Sequence, residues 1–172
     1  MDGVRDGISG LPVTLDALHS IGHGGMLWHV HHDRIDTGFD TAATMDLLLV
    51  AGDRPIHLFW AVTVWGGRAR FDRIRNVTAS GNGNALSILG TNDELEVPRK
   101  ATAFHTPTGL SDLTNSRDPR ILFASTSGQA RTTSSERPGE EVVIARNMKH
   151  LFRVTALDDD IQASIDIVAY ER

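Results

Sequence analysis

The chain contains no cysteine. A disulfide framework, a thiolate metal site and a cysteine nucleophile are all excluded by that one absence. Long apolar runs are missing too: the stretch around Leu47 to Ala51 falls far short of the ~20 residues a membrane-spanning helix needs. Met1 to Pro12 holds no apolar core of signal-peptide length, so the chain is expected to be soluble and made in the cytoplasm. The net charge is −5 with signs well mixed, and the lack of a long basic block argues against nucleic-acid binding. No Gly-x-Ser-x-Gly elbow occurs, and Gly81-x-Gly83 lacks the strand-then-helix context of a phosphate loop. No internal repeat is evident.

What is there is ordinary in bulk and informative in pattern. A chain of 172 residues, 40% hydrophobic and 23% charged, suits one soluble domain able to bury a core without staples. From Ile161 to Tyr170 the residues alternate almost completely: Ile161, Ala163, Ile165, Ile167 and Ala169 fall on one face, and Gln162, Ser164, Asp166 and Tyr170 on the other. That is the period of a half-buried antiparallel strand. Similar reasoning predicts strands over Met26 to Asp33, Thr44 to Ala51, Ile56 to Trp65, Ala69 to Val77, Ala85 to Leu89, Lys100 to Thr106, Ile121 to Ser125, Val142 to Ala145 and Leu151 to Ala156. Gly52-Asp53-Arg54-Pro55 reads as a hairpin link, Gly66-Gly67 as the next turn, and Asp158-Asp159-Asp160 as the last. Thr126 to Gly139 reads as a long polar loop. The expected fold is all-β, an antiparallel β-sandwich of jelly-roll type over residues 26–172, with a closed barrel as the alternative.

Residues 1–25 are Gly-rich and read as an extended N-terminal arm. Leu11, Val13, Leu15 and Leu18 are its apolar positions, without an obvious strand partner, and are expected to contact a neighbour. Gly22, Gly24 and Gly25 mark its joint to the domain.

His29-Val30-His31-His32 is the sharpest local feature. On a strand, His29 and His31 point the same way with Cα atoms ~7 Å apart, close enough to share a metal ion. The spacing is similar to the His-x-His of cupins, but the Glu several residues on and the second His motif are absent: Asp33, Arg34, Ile35, Asp36 and Thr37 follow, and no Glu occurs before Glu94. His57 or His105 would have to supply a third ligand through folding. The preferred reading is therefore polar strand residues at a sheet surface or subunit contact, with no metal and no cofactor. Asp158, Asp159 and Asp160 form a solvated turn more readily than a calcium site, which needs roughly six to eight oxygens. Arg68, Arg70, Arg73 and Arg75 lack the interleaved aromatics of a nucleic-acid groove and read as salt-bridged strand residues. Trp28 and Trp60 lie on core faces. Trp65, at a strand end and on the opposite face from Trp60, is a candidate contact residue.

Five stretches together resemble a family of tailed-bacteriophage virion proteins: His29 to Asp33, Asp46 to Val50, His57 to Trp65, Asn147 to Thr155, and Ala169-Tyr170-Glu171. The resemblance runs from about Trp28 to the C-terminus and leaves the arm outside. It implies a non-enzymatic head protein of the decoration or cement kind, on the capsid exterior, with the major capsid protein as partner. Self-association as a homotrimer, or else a dimer, is expected with it. The alternatives are another virion part or a glycan-binding module, and then a cupin-like metalloprotein.

Overall fold

The computed structural model describes residues 27–90, 98–125, 128–133 and 141–171. The arm, with Leu11, Val13, Leu15 and Leu18, lies outside the described residues. Among them there is no helix. The strands are β1 (Leu27–Phe39), β2 (Thr44–Val50), β3 (Ile56–Trp65), β4 (Arg68–Arg75), β5 (Thr78–Gly81), β6 (Asn84–Leu86), β7 (Leu89–Gly90), β8 (Thr102–His105), β9 (Thr108–Ser111), β10 (Ser116–Phe123), β11 (Gln129–Thr133), β12 (Val142–Ile144), β13 (Lys149–Ala156) and β14 (Ile161–Glu171). Every strand pairing among the described residues is antiparallel.

Two sheets result. Sheet 1 has the order β11-β3-β14-β1-β7, with β12 also on β3; sheet 2 has the order β10-β4-β13-β2-β8-β6. β11 and β12 lie end to end along one edge of β3, the first on Ala61 to Trp65 and the second on Ile56 to Leu58. The fold is thus an all-β antiparallel sandwich. The strands β5 and β9 form a separate two-stranded sheet.

The tight links do not make hairpins. β2 belongs to sheet 2 and β3 to sheet 1, so residues 52–55 carry the chain across the sandwich. Gly66-Gly67 and Asp158 to Asp160 do the same for β3–β4 and β13–β14. Gly and Asp punctuation marks a reversal of direction equally well in both cases; which strand becomes the neighbour is decided by distant partners. Gly66 has φ +88°, and a Cβ there would lie 2.9 Å from the carbonyl oxygen of Asp160. A side chain at this crossing therefore meets both backbone strain and a backbone clash.

The alternating faces converge between the sheets. Val30, Leu47, Leu49, Leu58, Trp60, Val62, Phe71, Phe152, Val154, Ile165 and Ile167 belong to one buried cluster drawn from both sheets. Trp28 and Trp60 are 1% and 4% exposed, as their positions on the core faces require. The Trp60 and Phe71 rings meet at 4.6 Å, and the Arg120 guanidinium lies 5.7 Å from the Trp60 centroid, covering the sandwich edge. A smaller cluster of Leu48, Ile74, Val77 and Leu151 lies on the outer face of sheet 2, with Ala79 of β5 and Leu110 of β9 packed on it.

Three expected segments differ in the structure. The strand expected over Ala85 to Leu89 divides into β6 of sheet 2 and β7 of sheet 1. The strand expected over Ile121 to Ser125 begins at Ser116 and runs through Pro119, where the register shifts between Arg117 and Arg120. Proline is tolerated there because β10 is an edge strand with a bulge. The segment expected to be loop from Thr126 contains β11: Gln129 to Thr133 pair with Trp65 to Ala61. Its Thr and Arg content hid an edge strand of one short ladder.

Candidate functional site

The outer face of sheet 1 collects the residues that the sequence singled out. Odd-numbered residues of β1 from Leu27 to Asp33, odd-numbered residues of β3 and even-numbered residues of β14 share this face, since their neighbours in sequence turn the other way. The register aligns them in cross-strand rows. Phe59, Val168, His29 and Leu89 form one row. Val168 is 40% exposed and Leu89 54%, with Val143 of the neighbouring row 47%. An apolar band therefore crosses the sheet at the level of His29.

A carboxylate–imidazole group stands on each side of that band. On one side, His57, Tyr170 and Leu27 share a row, and Val143 pairs with His57. The His57 and Tyr170 rings stack at 5.0 Å and 14°. Glu141, just before β12, accepts a hydrogen bond from the Tyr170 hydroxyl at 2.5 Å through Oε1 and faces His57 Nδ1 at 3.0 Å through Oε2. On the other side, Ala61, Asp166 and His31 share a row. His31 Nδ1 lies 2.6 Å from Asp166 Oδ1, and His31 Nε2 lies 2.6 Å from Asp33 Oδ2. Only the imidazolium can donate from both nitrogens at once. Burial pulls the His31 pKa down, but the hydrogen bonds and charges of Asp166 and Asp33 outweigh it and hold the pKa above its ordinary value.

This arrangement separates the histidines singled out by the sequence. His29 and His31 do share a face, yet both His31 nitrogens are taken up by carboxylates. His57 is engaged with Glu141. His32 turns inward and stacks on His105 at 5.1 Å, at the rim between the sheets. Burial and then the His105 charge push His32 down to about 4. His31, His57 and the stacked pair of His32 and His105 thus occupy separate environments. Among the described residues no group of three or more His, Asp or Glu is placed to hold a metal ion.

The other candidates also find partners within the protein. The Asp158 carboxylate receives Arg68 NH2 at 2.6 Å and the Arg68 backbone N–H at 2.8 Å. Asp159 accepts the Thr41 hydroxyl at 2.7 Å and its N–H at 3.0 Å. Two of the three turn carboxylates are therefore ties between elements. Arg70 pairs with Asp72 at 2.8 Å. Trp65 is half-buried at the end of β3, on the outer face, between Gln129 and Gln162.

Sequence reading missed several members of this surface. Asp166 was visible as the acid on the polar face of β14, but its partner across β1 depends on register. Glu141 carried no signal. Away from this surface, on sheet 2, Ile121 and Phe123 of β10 are 47% and 68% exposed inside an apparently ordinary apolar strand.

No family model matches this chain, and no curated protein matches it. Among solved structures, the subviral particle of infectious bursal disease virus VP2 aligns with 83% of this chain and 38% of that one, at 10% identity and a TM-score of 0.12. So slight an overlap bears on neither fold nor function.

Proposed function

We propose that the protein is a non-enzymatic binding protein that works through the outer face of sheet 1, and that it decorates the exterior of a bacteriophage head. The observation that carries the first part is the apolar band in which Val168 and Leu89 are exposed and Phe59 is half-buried, on a face where His31, Asp33, Asp166, His57, Glu141 and Tyr170 are engaged with one another. Such a face offers contact area with little polar desolvation left uncompensated, which is what a protein–protein interface asks of its centre. Its carboxylate–imidazole groups serve to hold strands in register and to shape the rim.

Three further observations support the capsid reading. The strand order supports a jelly-roll winding: taking β11 and β12 as one, the eight long segments in chain order run 1-8-3-6 in sheet 1 and 2-7-4-5 in sheet 2. That architecture recurs in viral capsid and lectin domains. The five stretches that resemble phage virion proteins fall on five strands, β1, β2, β3, β13 and β14, that pair with one another within the two sheets. Within them Asp46 and Arg153 form a bidentate pair at 2.7 and 2.8 Å. On a capsid lattice each weak contact is repeated, so a modest face gives strong attachment through avidity.

In this reading the partner is the major capsid protein, and the protein is a homotrimer, with a dimer as the second choice, seated at a local symmetry axis. It is made in the host cytoplasm and ends in the virion. The test is co-sedimentation with undecorated shells assembled from the major capsid protein of the same genome, with the mass of the free protein measured alongside. Saturable binding by a trimer supports the reading; failure to bind any shell overturns it.

A further inference from the structure

The chain has a single asparagine followed by glycine, Asn82-Gly83. Both residues lie in the link between β5 and β6, outside any strand, with Asn82 half-buried and Gly83 exposed. Gly83 has φ +94°, and a Cβ there would overlap the carbonyl oxygen of His105, so a side chain at this turn meets both strain and a clash. Lys149, the first residue of β13, reaches the same turn: its Nζ donates to Asn82 Oδ1 at 2.8 Å. An ammonium only donates, so the amide oxygen of Asn82 faces Lys149 and the NH2 group does not.

These features suit attack on the side-chain amide by the chain itself. The Gly83 nitrogen belongs to the next residue, so its attack on Asn82 Cγ closes a succinimide ring without a diffusing nucleophile. Glycine sets no side chain beside the closing ring and leaves the backbone free to turn as the ring forms. Negative charge develops on Oδ1 as Cγ becomes tetrahedral. The Lys149 ammonium already lies against that oxygen and would stabilise the charge where it appears.

We propose that Asn82 is a self-modification site, converted by the Gly83 nitrogen to a succinimide and then by water to aspartate or isoaspartate. The Gly83 N–H gives its proton to solvent base, the N–Cγ bond forms, and the Cγ–NH2 bond breaks. The departing nitrogen takes a proton from water and leaves as ammonia. Solvent water then opens the ring, with no oxidant or reductant. Opening at Cγ restores the peptide bond and gives aspartate; opening at the backbone carbonyl gives isoaspartate. The aspartate carboxylate would face the Lys149 ammonium, turning a hydrogen bond between the β5–β6 link and β13 into an ion pair. The reaction does not depend on what binds the outer face of sheet 1.

The test keeps the full chain folded in mildly alkaline buffer and, in parallel, unfolded in urea, and follows the peptide containing Asn82 by mass spectrometry. Conversion of the amide to an acid at Asn82 is expected in the folded chain. Asn82→Gln should abolish it, because the longer side chain closes a larger and slower ring. Lys149→Met keeps the side-chain length and drops the donor. It is expected to slow the folded reaction at least about tenfold and to leave the unfolded reaction unchanged. Far-UV dichroism checks that the variants are folded. An Asn82 left intact in the folded chain while the unfolded chain reacts would overturn the inference, whatever the variants do. So would equal rates for folded Lys149→Met and folded wild type. Loss of ammonia with a cross-link joining Lys149 to Asn82 would also overturn it, since the nucleophile would then be the lysine.

Discussion

His31 sits between two carboxylates, and this sets the direction of its response to pH. Its pKa in the folded protein is raised, so its contribution to stability is full below the ordinary value of 6.5 and is lost as pH rises through the folded value. An NMR titration should place the His31 midpoint above 6.5, with Asp166→Asn and Asp33→Asn each lowering it; a midpoint below 6.5 would contradict the geometry. Within this group protonation of His31 completes two ion pairs. His32 and His150 act in the other sense. Burial, followed by Arg73 and Arg75, pushes His150 down to about 3, and burial with His105 pushes His32 to about 4. Their contributions are present above 6.5 and are lost as pH falls toward those values. Trp60 carries a different load at the same scale. Trp60→Ala is expected to cost about 3–5 kcal/mol and to lower the melting midpoint by several degrees. Trp65→Ala, at a half-buried site, should cost less. A Trp60→Ala midpoint within about a degree of wild type would contradict the core assignment.

At the scale of elements, the outer face of sheet 2 is held by an ion-pair row. Arg153 lies between Asp72 of β4 and Asp46 of β2, and both aspartates are under 10% exposed. The Asp46 hydrogen bond raises the Arg153 pKa against the pull of burial. Arg153→Met would leave two buried carboxylates without this cation, an expected loss of about 3–5 kcal/mol in urea denaturation. A loss under about 1 kcal/mol would mean that the row behaves as an exposed surface pair. The sequence disclosed the long strands because β3 and β14 alternate along their whole length, and a core face is a local property. It did not disclose β5, β9 or β11, whose Thr, Ser, Gly and Arg residues resemble loop and whose pairing depends on distant strands. Asp46 and Arg153 could be read as charged residues on two strands, but not as partners, because 107 positions separate them. The same limit made residues 52–55 look like a hairpin when they bridge the two sheets. His29 and His31 were correctly placed on one face by period alone; the carboxylates that occupy His31 come from register.

At the scale of the whole molecule, the sandwich presents an apolar band on the outer face of sheet 1, which the proposed role on a capsid assigns to the shell. The residues of the arm, Met1 to Gly25, are proposed to add contact with a neighbour through Leu11, Val13, Leu15 and Leu18. A protein lacking them should keep the dichroism of a β-domain and bind shells less tightly; full occupancy by the truncated protein would remove the arm from the account. The central claim, attachment through the outer face of sheet 1, is tested most directly by Val168→Glu. Val168 is 40% exposed at the middle of the band, so the substitution should leave folding intact while setting a charge in the proposed contact. Shell co-sedimentation of wild type and Val168→Glu is the decisive measurement. The account requires saturable binding by wild type and a loss of at least about tenfold in the variant, the cost of an unpaired charge in a buried contact. Equal binding by the two proteins would contradict it.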